Sequence, residues 1–292
     1  MNIKSIIALR GRMFDRFKRF FANPMPTRYF VLRFLDHRLN LLGYEEKLRV
    51  GTLEREHYGY CMLEAAKLAA KLGHTAISAI EFGVAGGKGL LAMEHHAGFV
   101  EQETGIKIEI FGFDMGTGLP PPQDYRDMPY LWQSGYYKMD KAKLEERLQR
   151  SKLIIGPVEE TLRSFIESFG SSNPPPPIGF ISFDLDYYSS TVGAFHVFSG
   201  ESTSVLPRVI CYFDDVSGPC EEAYNIFTGE LLAIAEFNAA SDYVKIAKCM
   251  GVRFYGGNIP REWHEQIYFA HLFRHPDYQQ PINNYSTQLP LV

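Results

Sequence analysis

The chain has 292 residues, 46% of them hydrophobic, and a formal net charge of −4. That size suits one large domain with an appendage, or two small ones, and it supplies enough apolar residues for a sizeable core. No apolar stretch approaches a membrane span, and the charge gives no general ground for nucleic-acid binding. The four cysteines are scattered without a CxxC pair, the usage of a reduced, cytoplasmic protein.

Residues 1–38 are locally cationic: Lys4, Arg10, Arg12, Arg16, Lys18, Arg19, Arg28, Arg33 and Arg38 stand against Asp15 and Asp36. At helical spacing Ile3, Ile6, Ile7, Met13, Phe14, Phe17, Phe20 and Phe21 share a face broken by Arg10, so an amphipathic helix is expected. Docking on the domain or on a second subunit is the plainer use of such a helix. Adsorption to an anionic membrane surface, a peripheral contact, is the other. Charge within the apolar stretch and the lack of a small-residue cleavage site argue against a signal peptide. Residues 1–50 therefore read as a basic helical appendage and 51–292 as the main domain.

A helix is predicted over Leu53 to Leu72, stopped at Gly73. Apolar runs then alternate with helices: AISAIEFGV and a helix from about Lys88, IKIEIFGFD, a loop and a helix over Asp140 to Arg150. KLIIG and a helix over Glu159 to Phe169 follow, then IGFISFDLD, a short helix, RVICYFDD and a long helix over Glu221 to Phe237. The alternation argues for an α/β, doubly wound, mostly parallel sheet with helices on both faces, preceded by N-terminal helices. YVKIAK and EQIYFAHLF have no helix between them and suggest a terminal antiparallel strand pair. His95 and His96, adjacent on a helix, and His271 and His275 read as surface or packing histidines.

Ligands of such sheets bind at the carboxyl ends of the strands, where Glu81, Asp114, Asp184, Asp186, Asp214 and Asp215 all fall. Strand alternation puts Asp184 and Asp186 on one face with charges about 6 to 7 Å apart, an arrangement that needs a cation, a moving proton or open water nearby. The first turn, EFGVAGGKG over 81–89, is rich in glycine. Gly83 to Lys88 is one residue short of a P-loop and lacks its Ser or Thr, and no register of GxGxxG fits. What fits is an acid with glycines two and six residues later.

That turn resembles the first motif of the class I S-adenosylmethionine (SAM) methyltransferases, which implies a Rossmann-like sheet. More closely, residues 51–250 resemble the macrocin and novobiocin-type sugar O-methyltransferases, through EFGVAGG, DMGTGLP over 114–120, GPVEETL over 156–162, FDLDYYSST over 183–191, and FDD with Gly218 beyond it. Met115, Gly116, Ile155 and Val216 depart from that family's pattern and bear on the substrate. The resemblance implies SAM as methyl donor, with Gly83, Gly86 and Gly87 against its methionyl part and Glu81 behind that loop or on the ammonium. Asp114 would take the ribose hydroxyls, and Gly156 to Val158 would edge the adenine. Because an alcohol is a poor nucleophile until its proton leaves, Mg²⁺ or a similar divalent cation is expected on Asp184, Asp214 and Asp215, with Asp186 as general base. Asp114 and Asp215 could instead serve as helix caps.

The acceptor expected is a small-molecule hydroxyl, on a sugar or a phenol, and the expected state is a homo-oligomer. The loop over 118–137 reads either as a lid whose Tyr125, Tyr130, Trp132, Tyr136 and Tyr137 stack on that acceptor, or as aromatic packing. Two other readings stand beside this one: a non-catalytic SAM-binding protein, and a membrane-associated modifier of glycans or lipid-linked sugars. A nucleic-acid methyltransferase fits poorly, because the acids would repel phosphate.

Overall fold

The computed structural model describes residues 27–200, 202–256 and 260–283. The amphipathic helix expected near the start lies outside them. Helices α1 (Thr27–Leu39), α2 (Tyr44–Val50) and α3 (Glu56–Lys71) precede the sheet. Tyr44 and Leu48 are buried in the same core as Tyr58 and Met62, and the Tyr44 hydroxyl lies 3.0 Å from His96 Nδ1.

Seven strands, β1 (Ala76–Phe82), β2 (Lys107–Asp114), β3 (Lys152–Ile155), β4 (Ile178–Phe183), β5 (Val205–Phe213), β6 (Val244–Lys248) and β7 (Ile267–Leu272), lie in the order β3-β2-β1-β4-β5-β7-β6. Every pairing is parallel except those of β7, which runs antiparallel to both β5 and β6. The antiparallel pair is as expected from the sequence. Its second member, though last in the chain, is inserted inside the sheet, so β6 forms the edge.

The remaining helices are α4 (Lys88–Thr104), α5 (Lys141–Glu145), α6 (Val158–Ser168), α7 (Tyr188–Ala194) and α8 (Gly229–Ala240). α2, α3 and α4 cover one face of the sheet, while α6, α7 and α8 cover the other. Two expected helices are shifted. Asp140 caps α5, whose Lys143 N–H reaches its carboxylate at 3.3 Å, but the helix ends at Glu145. The long helix starts at Gly229, because Pro219 opens only a single tight turn over Cys220–Glu222, which closes with Ala223 in the left-handed region.

Parallel register aligns the last residues of β1, β4 and β5 with the last but one of β2: Phe82 sits opposite Phe113 and Phe183, and Phe183 opposite Phe213. Their buried rings form a continuous row, 5.1, 5.6 and 4.6 Å between centroids. Each such side chain contributes about 1.5–3 kcal/mol through burial. The row fixes where the strands stop. The next residue on β2, β4 and β5 is an aspartate, and on β1 it is Gly83.

Candidate active site

Above the phenylalanine row a cavity of about 650 Å³ opens at the carboxyl ends of β1, β2, β4 and β5. Of the residues expected at a site, Glu81, Gly83, Gly86, Asp114, Val158, Asp184, Asp186, Asp214 and Asp215 all line it. Gly87 does not. It caps α4 at φ 80°, and a β-carbon there would meet Leu144 Cδ1 at 2.1 Å, so its role is packing and turn geometry.

The two glycines that do line it differ. Gly83 sits at φ 86°, with an added β-carbon 1.7 Å from the Asp184 carbonyl oxygen, so only glycine fits between β1 and the end of β4. At Gly86 an added β-carbon meets nothing within 4 Å and would project into open space.

Asp114 organises the glycine loop. Its Oδ2 accepts the N–H groups of Val84 at 2.9 Å and Ala85 at 2.8 Å, and its Oδ1 accepts that of Gly116 at 2.5 Å. A carboxylate offers about four acceptor positions, so roughly one remains for a ligand hydroxyl. The alternative reading of Asp114 as a helix cap finds no support, since these amides belong to loops.

Glu81 is 1% exposed. Its Oε1 accepts the Tyr58 hydroxyl at 2.8 Å, Ser182 Oγ donates to that same hydroxyl at 2.9 Å, and Oε2 has no partner. Burial pushes its pKa up to about 7, against the pull of Tyr58 and Arg55.

The strand-alternation argument for Asp184 and Asp186 does not hold. β4 ends at Phe183, and Asp186 turns into the left-handed region at φ 59°. The two acids share the cavity because the chain turns there, with the Asp186 N–H donating to Asp215 Oδ2 at 2.9 Å. Burial, then Asp184 and Asp214, push Asp186 up to about 8. Burial, then Asp214, Asp215 and Glu81, raise Asp184 well above the usual carboxylate range. Asp215 is raised by burial and by Asp186 and Asp214.

Among the described residues no group of three or more His, Cys, Asp or Glu side chains is placed to hold a metal ion. Asp214 Oδ1 lies 2.7 Å from the Tyr212 hydroxyl, and Asp215 is bonded to the Asp186 amide and, at 3.4 Å, to Tyr224.

Three side chains were not evident from the sequence. Arg55, at the start of α3 with φ 48°, faces Glu81, Asp184 and Asp214 and lines the cavity together with Lys88. No motif marks it. Glu230, fully buried, accepts the Asp215 N–H at 3.1 Å and leaves Oε1 without a partner. Asp127 anchors the long loop: it accepts the Ser189 N–H at 2.9 Å, Ser189 Oγ at 3.0 Å and the Gln123 N–H at 2.7 Å. Of the loop aromatics, Trp132 and Tyr137 reach the cavity, whereas Tyr125, Tyr130 and Tyr136 do not line it.

Among solved structures, the calicheamicin methyltransferase CalS11 is 22% identical, with 87% of this chain and 88% of that one covered and a TM-score of 0.50. The chain has the class I methyltransferase fold. More distant likenesses are cofactor-bound Rv0187 from MTB and the plantazolicin methyltransferase BamL in complex with a triazolic desmethylPZN analog and SAH. The first is 13% identical, covering 83% and 96%, TM-score 0.41; the second is 9% identical, covering 92% and 97%, TM-score 0.36. No family model matches the chain, and no curated protein does.

Proposed function

We propose that this chain is a SAM-dependent O-methyltransferase acting on a hydroxyl of a small molecule. One observation carries the reading: the glycine loop with Asp114 and the carboxylates Asp184, Asp186, Asp214 and Asp215 open into a single cavity. Gly86 leaves room for close backbone approach, Asp114 keeps an acceptor for a ribose hydroxyl, and Val158 offers an apolar edge for adenine. The shared fold with a calicheamicin methyltransferase agrees with it.

In the reaction the acceptor oxygen forms a bond to the methyl carbon as the sulfur–carbon bond breaks. The sulfonium leaves as the neutral thioether S-adenosylhomocysteine, and the hydroxyl proton passes to Asp186. A base with a pKa near 8 is matched to that task at near-neutral pH.

Asp184, Asp214 and Asp215 have the donor chemistry of a site for a hard divalent cation such as Mg²⁺, and its two positive charges would relieve their mutual repulsion. When bound, such an ion would lower the pKa of the acceptor hydroxyl.

Calorimetric titration with SAM and S-adenosylhomocysteine, with and without magnesium, tests the donor half. A radiolabelled methyl-transfer screen over sugars and phenols tests the chemistry. Binding with turnover supports the reading; binding without turnover on any hydroxyl acceptor favours a non-catalytic SAM-binding protein, and no binding removes the function while leaving the fold.

A further inference from the structure

Helix α1 is packed inside out. Its inward seam is polar: Arg33 Nη2 donates to the Gly51 carbonyl, and Asp36, 7% exposed, accepts the Leu42 N–H at 2.9 Å and pairs with Lys47 at 3.9 Å. Helical residues advance by about 100° each, so Val31, Phe34, Leu35 and Arg38 fall opposite Arg33 and Asp36. The three apolar side chains of that outer face are exposed by 47, 56 and 36%, and Leu39 beside them by 60%. A surface helix ordinarily turns its apolar stripe to the core. Here the bonds of Arg33 and Asp36 hold the stripe away from it, where only a partner can cover it.

Charge selects the partner. Asp36 is the only acid of α1 and is turned inward, while Arg38 is exposed at the centre of the outer face, its guanidinium 5.7 Å from the Phe34 ring. Residues 1–26, which lead into the helix, carry six lysines and arginines against one aspartate, although the whole chain is negative. In a two-fold dimer each side of the interface is the same patch, so the same bases would meet one another. An anionic lipid surface instead sets opposite charge against them, and its attraction adds to the burial of the apolar stripe. With 13 residues α1 is too short to cross a bilayer, so such a contact lies in the plane of the headgroups.

We propose that the outer face of α1 is a docking surface for an anionic lipid bilayer, on which the helix lies flat with Val31, Phe34 and Leu35 at the boundary between headgroups and acyl chains. No residue of α1 lines the cavity at the strand ends, so the inference stands or falls apart from the methyl-transfer reading.

Sedimentation of the full chain with lipid vesicles tests it. Partition into vesicles of phosphatidylcholine with about one-third phosphatidylglycerol should exceed that into pure phosphatidylcholine about tenfold or more, and should fall about tenfold between ~0.1 and ~0.5 M salt. Phe34→Gln combined with Leu35→Gln alters only the outer face. Its melting temperature should stay within about 2 °C of wild type, while partition into the anionic vesicles drops about fivefold or more. No preference for the anionic vesicles would overturn the proposal. Equal partition of the double variant would do the same, by showing that the bases before the helix suffice, and a clearly lowered melting temperature would show that these side chains pack on the body. Sedimentation velocity settles the rival occupant: a wild-type dimer that turns monomeric in the double variant would assign this face to a second copy and sink the lipid surface.

Discussion

Asp186 holds a backbone conformation that most side chains avoid and that Asn tolerates, so Asp186→Asn changes chemistry with little change of shape. The variant keeps the amide that donates to Asp215 and loses the basic oxygen. Turnover should fall by about 10²- to 10⁴-fold with SAM affinity retained, while wild-type kcat should climb with pH toward a plateau above about 8. Turnover within about twofold of wild type would remove Asp186 from the mechanism. The two glycines make a second comparison. Gly83→Ala drives a β-carbon into the Asp184 carbonyl and should yield little folded protein, whereas Gly86→Ala meets no protein atom. The expected outcome for Gly86→Ala is an unchanged melting temperature with SAM affinity reduced about tenfold or more, and unaltered affinity would place the donor elsewhere. Asp114→Ala cannot serve in its place, because it frees the Val84 and Ala85 amides and loosens the loop as well as the ribose contact.

At the scale of elements, the loop between β2 and α5 is a long irregular segment in which Asp127 and Met128 are buried, and Asp127 joins it to the first turn of α7. Asp127→Ala should cost about 1–3 kcal/mol and raise the rate of proteolytic cutting within residues 115–140 while protecting the rest of the domain. Unchanged cutting would show that the loop is held by other contacts, such as Arg126 on the Tyr188 ring at 4.5 Å. The elements themselves were largely legible, because buried parallel strands are continuous apolar runs between amphipathic helices. A finer signal was also there: FD recurs at 113–114, 183–184 and 213–214, marking where each strand's last core ring gives way to the cavity. Turn geometry was not legible. Nothing in FDLDYY announces that the strand stops at Phe183 and that Asp186 adopts φ 59°. Arg55 was hidden for a different reason, since a charge brought from an early helix start to distant acids depends on tertiary packing and leaves no local pattern.

For the molecule as a whole, displaced ionisations fall into separate pH windows. Burial pushes His57 down to about 3 and His96 and His264 to about 4, so folding expels protons from imidazoles. Stability from that source grows with pH and is complete above an imidazole's ordinary value of about 6.5. Glu45, Glu94 and Glu101, lowered by their hydrogen bonds and arginine or lysine partners, titrate below 4.5. The cavity acids act in the opposite sense. Glu81 at about 7 and Asp186 at about 8 bind a proton more tightly folded than unfolded, so their contribution is full below their ordinary values and is lost as pH rises through 7 and 8. Between about pH 6.5 and 8 only that loss remains, at most about 1.4 kcal/mol per pH unit for each proton retained. The melting temperature should therefore fall by several degrees over that interval, on the order of 2–3 kcal/mol. Asp184→Asn, which removes a charge beside Asp186, should shrink the fall and raise stability more at pH 8 than at pH 6.5. A cation bound among these carboxylates would favour the ionised forms of Asp184 and Asp215, so magnesium should restore the lost degrees at pH 8 and do less at pH 6.5. A melting temperature flat or rising from pH 6.5 to 8 without metal would mean that the folded chain keeps no proton among these carboxylates, and the base assigned to Asp186 would then already be ionised at neutral pH.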